Sequence, residues 1–482
     1  MYPRILPVLA LLFIAGCADD EGQADSVRSF TVLYTNDEHG WMEGMSEEQG
    51  AANLYQLWQD REGYTPEGDF LILSGGDNWT GPAVSTWAEG ESMVAVMNAM
   101  QYDASAVGNH EFDFGLQVLS QRATESAFPY LSANIRYRED NSRPVDLGIL
   151  PHTVTTVNDL RVGIIGLSTT STPAVTHPLY VEPFEFPEYE GALRAAYTEL
   201  DALDVDVTLV IAHVCMGELR ELAEQVADLD IAMMGGGHCN ELVAQPWAET
   251  LLLGGGFHFT SYAKASFAFD VTRGELVARD YATEQNSGAA ADSMVSEIVA
   301  GWLAETEAFT SEYVAYNAAE MPRSDLRFSQ AIIDSWLIAD PTADVAITNA
   351  GGFRISLPAG EITIGTLVAL MPFENTIVAL NLSGAELISA ANSVNRPVIA
   401  GIEELGGVWV ETSTGANVDP EKIYRVLVNS FIYAGGDNYD MLREYDPDGF
   451  DTGINYRQPF VDWLVAQGST PDQPLDWETT IP

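Results

Sequence analysis

Cysteine is nearly missing from this sequence: Cys17, Cys215 and Cys239 are the only three in 482 residues, which excludes a scaffold built on disulfides. Lysine is scarcer still, with Lys264 and Lys422 alone. Basic residues number 21 against 71 acidic ones, for a formal net charge of −50. Such a surface repels nucleic acid and anionic membranes, so no nucleic-acid polymer is expected as a partner. It suits a well-solvated exterior, and the shortage of lysine is compatible with a saline habitat. The sequence also lacks low-complexity tracts and internal repeats, which excludes disordered and solenoid architectures. Beyond the N-terminus no apolar run is long enough to cross a bilayer. The charge imbalance leaves one problem open: an anionic substrate needs a locally positive site.

What is present is ample material for folded cores, with 46% hydrophobic residues and 10% aromatics. The length exceeds what one core usually organises, so two domains are expected. Arg4 followed by the apolar stretch Ile5 to Ala15 reads as an export signal. It ends at Ile14-Ala15-Gly16-Cys17, similar to a bacterial lipobox, in which the cysteine becomes the acylated first residue. Residues 1–16 are therefore expected to be a lipoprotein signal peptide and residues 17–28 a polar tether. Ala18, where an aspartate would favour retention, points to the periplasmic face of the outer membrane or the cell surface. An ordinary cleaved signal with an incidental cysteine is the alternative.

Short apolar runs alternate with helical patterns, which argues for an α/β architecture. Strands are expected at Phe30–Tyr34, Phe70–Leu73, Ala104–Val107, Val162–Ile165, Val207–Ala212, Ile231–Met234 and Thr250–Leu253. A longer helical pattern around Val295–Tyr316 leads into Met321-Pro322 and reads as an interdomain connector. The expected division is a catalytic domain over 29–300, a connector helix over 301–322 and a second α/β domain over 323–482.

Five of the first strands run into segments rich in metal-ligand chemistry. These are Thr35-Asn36-Asp37-Glu38-His39, Gly75-Gly76-Asp77-Asn78, Gly108-Asn109-His110-Glu111-Phe112-Asp113, Ala212-His213 and Gly235-Gly236-Gly237-His238-Cys239-Asn240. The carboxyl ends of strands converge on the ligand crevice of an α/β sheet. Asp37 and His39, two apart on a strand end, present their side chains to one side. Four of the seven histidines fall in these segments. Each residue alone has a structural explanation; five such segments in order do not. Two divalent cations held by histidine and carboxylate clamp a phosphoryl group for in-line displacement, and Asp77 is the best candidate to bridge them. His152, His177 and His258 lack such company and read as ordinary surface or core residues.

Asp37-Glu38-His39, Gly76-Asp77, Gly108-Asn109-His110-Glu111 and Gly237-His238 resemble the successive motifs of calcineurin-like metallophosphoesterases. The fuller match, with Tyr34-Thr35-Asn36-Asp37 and Phe112-Asp113, is similar to the 5'-nucleotidase family. That resemblance implies an N-terminal calcineurin-like β-sandwich flanked by helices and a C-terminal α/β substrate-binding domain. It implies that Asp37, His39 and Asp77 hold one metal and that Asp77, Asn109, His213 and His238 hold the other. Asn240 stands where the family has histidine or glutamine as a further ligand, a shorter side chain. His110 and Asp113 match the family's catalytic pair, the aspartate orienting the ring and raising its basicity. Mixed His, Asp and Asn ligands suit zinc, manganese, iron or cobalt. With His213 and His238 on one metal, Cys215 and Cys239 come out as neighbours. A disulfide, two inert thiols or a thiolate ligand all fit that placement.

The resemblance extends to substrate recognition. Asn349-Ala350-Gly351-Gly352-Phe353-Arg354 is similar to the family's Asn-x-Gly-Gly-x-Arg, so Asn349, Gly352 and Arg354 are expected at the substrate, with Arg354 on phosphate. Met371-Pro372-Phe373-Glu374-Asn375 and the segment from Asn429 to Tyr439 resemble those carrying two base-stacking phenylalanines, here Phe373 and Phe431, and a ribose-binding aspartate, here Asp437. The stretch Arg323 to Gln330 departs from the family's Thr-Asn-x-Gly-Asn signature, leaving Arg323, or alternatively Arg327, as a second phosphate ligand. The implied activity is hydrolysis of nucleoside 5'-monophosphates by a monomer. UDP-sugar or nucleotide pyrophosphatase and 2',3'-cyclic phosphodiesterase are alternatives within the class. A non-catalytic nucleotide-binding lipoprotein is the rival outside it, opposed by the retained ligands and the His110–Asp113 pair.

Overall fold

The structure, a computed structural model, describes residues 26–46, 48–393 and 397–477. The signal segment, Cys17 and most of the tether lie outside the described residues. Among the described residues, no helix is long and apolar enough to cross a membrane.

The first part of the chain is a sandwich of two sheets. One has seven strands in the order Glu275–Gln285, Ser261–Asp270, Val27–Thr35, Phe70–Ser74, Ala104–Ala106, Tyr130–Leu131 and Ile149–Leu150. The other has six, in the order Leu242–Trp247, Thr250–Gly255, Met233–Gly235, Val207–His213, Leu160–Ser168 and His152–Val157. Alternation decides which side chains meet between them. Phe30, Val32 and Tyr34 of one sheet pack against Ile164, Leu209 and Ile211 of the other in one buried cluster. Leu33 and Ile72 point the opposite way, into a cluster with helix residues such as Leu54, Trp58 and Met97. Helices Tyr189–Asp201 and Met216–Gln225 cover the outer face of the second sheet. All seven expected strands are present.

The second part has one five-stranded sheet, in the order Val398–Ala400, Val345–Thr348, Ile423–Asn429, Thr376–Ser383 and Phe450–Asn455. Its faces are covered on both sides. Ala346 and Leu427 contact Phe328, Ile332 and Trp336, which recur at helical spacing along Leu326–Ala339. Val345, Val426 and Val428 meet Leu387 and Ala390 on the other side.

The connector differs from its expected form. The helix spans Ser293–Thr310, capped by the Asp292 carboxylate accepting from the Met294 and Val295 amides. Tyr313–Asn317 is a strand, antiparallel to Gly360–Thr363. Tyr313, Val314 and Tyr316 are aromatic or β-branched, types that fit a strand, and tertiary pairing overrides the helical reading. The two parts meet on one side where Ile364–Leu370 packs on Ala83–Thr86 and Ser293–Thr310. On the other side Thr172–Val175 packs on the turn Gly436–Asn438. A cavity of about 310 Å³ opens between these contacts.

Candidate active site

Asp77 sits at the centre of the strand-end loops. Its Oδ2 lies 2.9 Å from His213 Nε2 and 4.0 Å from both His39 Nε2 and His110 Nε2. Two clusters with ligand atoms within 4.8 Å of one another share it: His39, Asp77 and His110, and Asp77, His213 and His238. Asp37 lies beside them, its Oδ1 3.9 Å from His39 Nε2 and accepting from the His238 amide at 3.1 Å.

The backbone presents these groups differently from the sequence expectation. The strand ends at Thr35, and Asp37 and His39 follow in a loop, both in left-handed conformation at φ 56° and 46°. Strand alternation therefore does not set their direction. Asp77 and His238 are left-handed too, at φ 58° and 72°. Non-glycine residues there cost on the order of 1 kcal/mol or more each, and the surrounding bonds hold them. The amides of Asp37 and His39 donate to the carbonyls of Gly76 and Asp77 at 3.0 Å. Glu111 ties its own loop to the Asp77 loop by accepting from the amides of Asp77, Asn78 and Gly108 at 3.0, 2.8 and 2.6 Å. Gly108 is required because a Cβ there would lie 2.2 Å from Asp77 Oδ1.

The donor set fits divalent cations. His213 Nδ1 donates to the Gly75 carbonyl at 2.8 Å and His39 Nδ1 to the Thr80 carbonyl at 3.1 Å. Each arrangement leaves the Nε2 lone pair aimed at the cluster, the usual way a protein orients a histidine ligand. Asn109 Nδ2 donates to the Val175 carbonyl at 3.2 Å, while its Oδ1 is buried with no protein partner. A buried carbonyl oxygen left bare is costly unless something electropositive meets it. The electrostatics of the protein groups by themselves differ from residue to residue. Burial, with the nearby His213, pulls His238 down to about 4, the neutral form a cation requires. Burial opposes both charges of the Asp77–His213 pair, but their attraction wins, holding the carboxyl well below its ordinary range and carrying the imidazole up to about 9. Asp37 is pushed up to about 6, chiefly by burial.

His110 is held from its far side: Nδ1 is 2.7 Å from Asp113 Oδ2. Burial lowers its pKa, yet Asp113 and Asp77 outweigh that and leave it above the ordinary histidine value. Its ring stacks on Phe373 of the second part, with centroids 5.7 Å apart and planes at 17°. The Arg354 guanidinium carbon lies 5.8 Å from the Phe373 centroid. Phe431, Asp437, Arg323 and Gly352 line the same cavity as His110 and Asp113.

The 5'-nucleotidase C-terminal domain model matches residues 309–396. A 5'-nucleotidase of Vibrio cholerae is 26% identical over 536 residues, covering 96% of this chain and 95% of that one. Protein UshA of Escherichia coli is 27% identical, covering 92% and 93%. A crystal structure of a 5'-nucleotidase precursor from Thermus thermophilus shares the fold over 93% of this chain and 98% of that one, with a TM-score of 0.79 and 24% identity. The chain is thus similar to 5'-nucleotidases over nearly its whole length.

Of three further residues expected from that resemblance, Arg327 lies away from the cavity while Asn349 and Asn240 line it. Arg327 does not line the cavity: its Nε and Nη2 bond the Asp325 carboxylate at 3.0 and 2.6 Å. Asp325 caps the helix Leu326–Ala339, in which Arg327 is the second residue, and so captures the guanidinium locally. Asn349 lines the cavity but engages its amide internally, donating to Asp437 Oδ2 at 2.8 Å and accepting from Asn429 Nδ2 at 2.9 Å. It thus orients Asp437, which is itself left-handed at φ 53°. Asn240, also left-handed, lies exposed on the cavity wall. Two histidines read as ordinary stand in this neighbourhood. His258 stacks on Trp41 and lies edge-on to His39 at 5.9 Å, and His177 lines the cavity beside Tyr180. The clue for His258 was its place beside Gly254-Gly255-Gly256, where the Asp37 carbonyl accepts from its amide.

Cys215 and Cys239 form a disulfide with Cα atoms 5.2 Å apart. It joins the loops that carry His213 and His238, whose facing nitrogens are 3.2 Å apart. Closing a loop of this length contributes about 3 kcal/mol in the chain-entropy model. Reduction, or Cys215→Ser with Cys239→Ser, is expected to lower Tm and to weaken retention of one metal equivalent by roughly tenfold or more. Dialysis against a graded chelator series, with metal content read by mass spectrometry, checks this. Equal retention in both proteins would refute it.

Proposed function

We propose that the chain hydrolyses nucleoside 5'-monophosphates to nucleoside and phosphate at a dinuclear metal centre. The observation that carries this reading is a single cavity shared by the Asp77 cluster, the His110–Asp113 pair and the Arg354, Phe373 and Phe431 side chains. Relatives of full length bearing the name 5'-nucleotidase support it.

Asp37, His39 and Asp77 would hold one cation and Asp77, Asn109, His213 and His238 the other. Bound there, divalent cations polarise the phosphoryl group and neutralise its charge. Arg354 and Arg323 bring positive charge to a molecule of net charge −50, which answers how so acidic a protein attracts a phosphate. The guanidinium forks pair with phosphoryl oxygens. Phe373 and Phe431 offer flat faces to a base, contacts that every base satisfies. His110, with Nδ1 held by Asp113, directs Nε2 toward the cluster, where the imidazolium stabilises charge developing in the transition state.

The test is phosphate release from AMP, UDP-glucose and 2',3'-cyclic nucleotides by purified protein supplied with divalent metal. AMP is expected to be the best of the three. Turnover of none of them would sink the reading.

The export signal and Cys17 support a further element of the proposal, an acylated protein at the cell envelope. Wild type expressed in a bacterial host is expected to take up labelled palmitate and Cys17→Ser to take up none. Equal labelling of the two would remove Cys17 as the anchor.

A further inference from the structure

The segment that follows Leu160–Ser168 has no part in the ligand set, yet it touches the chemistry twice. Ser168 ends the strand, Thr169 to Ser171 turn, and the short helix Thr172–Val175 begins. The turn is pinned from within: Thr172 Oγ1 donates to the Thr169 carbonyl at 2.7 Å, and the Thr176 amide to the Thr172 carbonyl at 3.1 Å. Thr172 and Thr176 are both buried. From this rigid turn the Val175 carbonyl receives Asn109 Nδ2 at 3.2 Å, and Thr176 Oγ1 donates to Asp113 Oδ1 at 3.1 Å.

The second contact matters because of the torsional freedom of aspartate. The carboxylate plane turns in a broad, two-fold well. One hydrogen bond, from His110 to Oδ2, does not fix that plane; a second donor on Oδ1 does. The three side chains form an unbroken chain of hydrogen bonds in which Asp113 accepts at both oxygens, from Thr176 Oγ1 on Oδ1 and from His110 Nδ1 on Oδ2. Asp113 and His110 are 8% and 9% exposed at their side chains, so little water competes for these positions. The same helix packs on the turn Gly436–Asn438, which carries Asp437 in the second part of the chain.

We propose that Thr176 is a positioning residue for His110, acting through Asp113, and that its helix ties this orientation to the substrate-side turn at Asp437. The proposal rests on the reading of His110 as the catalytic imidazole. Thr176 lines the cavity, but its hydroxyl is engaged by Asp113. Its hydroxyl sets the carboxylate plane, the carboxylate sets the ring, and the ring delivers Nε2 to the reacting group.

The experiment compares Thr176→Val, which keeps the shape and loses the donor, with Thr176→Ser, which keeps the donor. Phosphate release from AMP by the metal-loaded proteins gives kcat and KM. Thr176→Val is expected to lose about tenfold or more in kcat with KM within about twofold, and Thr176→Ser to recover most of it. In an Asp113→Asn background the Val substitution is expected to add less than about twofold, since its route is already broken. Unchanged kcat in Thr176→Val, a loss carried by KM, an equal loss in Thr176→Ser, or full additivity with Asp113→Asn would each overturn the proposal. Imidazole NMR of His110 gives a readout independent of turnover. The Nδ1 proton is expected to be slowly exchanging in wild type and Thr176→Ser and broadened in Thr176→Val; identical spectra in all three would also overturn it. Failure of the wild type to release phosphate would instead count against the proposed function, leaving the NMR comparison to decide the role of Thr176.

Discussion

Asp77→Asn is expected to lower metal-dependent phosphate release by roughly a thousandfold or more and to leave less than two equivalents of metal bound. Asp77 is the one residue common to both clusters, so it alone can contribute an anionic oxygen to each cation. Asparagine preserves the shape and the acceptor for the His110 amide, now at 2.8 Å from Asp77 Oδ1. It removes the charge and one ligating oxygen. A metal centre contributes several kcal/mol of transition-state stabilisation, and about 4 kcal/mol corresponds to about a thousandfold in rate. The fold should persist, because Glu111 and the backbone bonds of the loops do not depend on that charge. Metal analysis with single-turnover assays checks the prediction. Near-wild-type activity with two bound equivalents would remove Asp77 from its bridging place.

His110→Ala carries the second large effect, and its pattern differs. His110 lies close enough to Asp77 and His39 to belong to a metal cluster by distance. Its Nδ1 is already taken by Asp113, and Phe373 covers its ring. A group stabilising the transition state from that place contributes about 10²- to 10⁴-fold. The expected outcome is a kcat loss of that size with two metal equivalents retained. Loss of one equivalent would reassign His110 as a ligand. Measuring kcat and metal content on the same preparation separates the two roles.

The parts of this fold legible in the sequence were those where burial writes a strong pattern. Val207–His213 is buried along its whole length, and its apolar run ends on a histidine. The strand Glu275–Gln285 carries no such signal: it lies mostly exposed on a sheet edge, and no buried face marks its sequence. Its partner Ser261–Asp270 alternates small and aromatic residues, a pattern that needs the neighbouring Val27–Thr35 to acquire meaning.

The ligand loops divide the same way. Residue types announced Asp37, His39 and Asp77, while their left-handed backbone is a property of how loops bond across the sheet. Glu111 stood inside a recognised motif, but three amides drawn from two loops give it its role, and no local pattern records that. Arg327 was lost to a neighbour two residues away, a competition decided by helix capping rather than by the site. Thr176 had no signal at all, since its partner lies 63 residues earlier.

The most direct measurement is a titration of chelator-stripped protein with a divalent metal, following phosphate release from AMP at each addition. A centre built around a shared Asp77 predicts no activity in the stripped protein and a rise that saturates at two equivalents per chain. Phosphate release that persists without metal, or that is complete at one equivalent, would contradict the account.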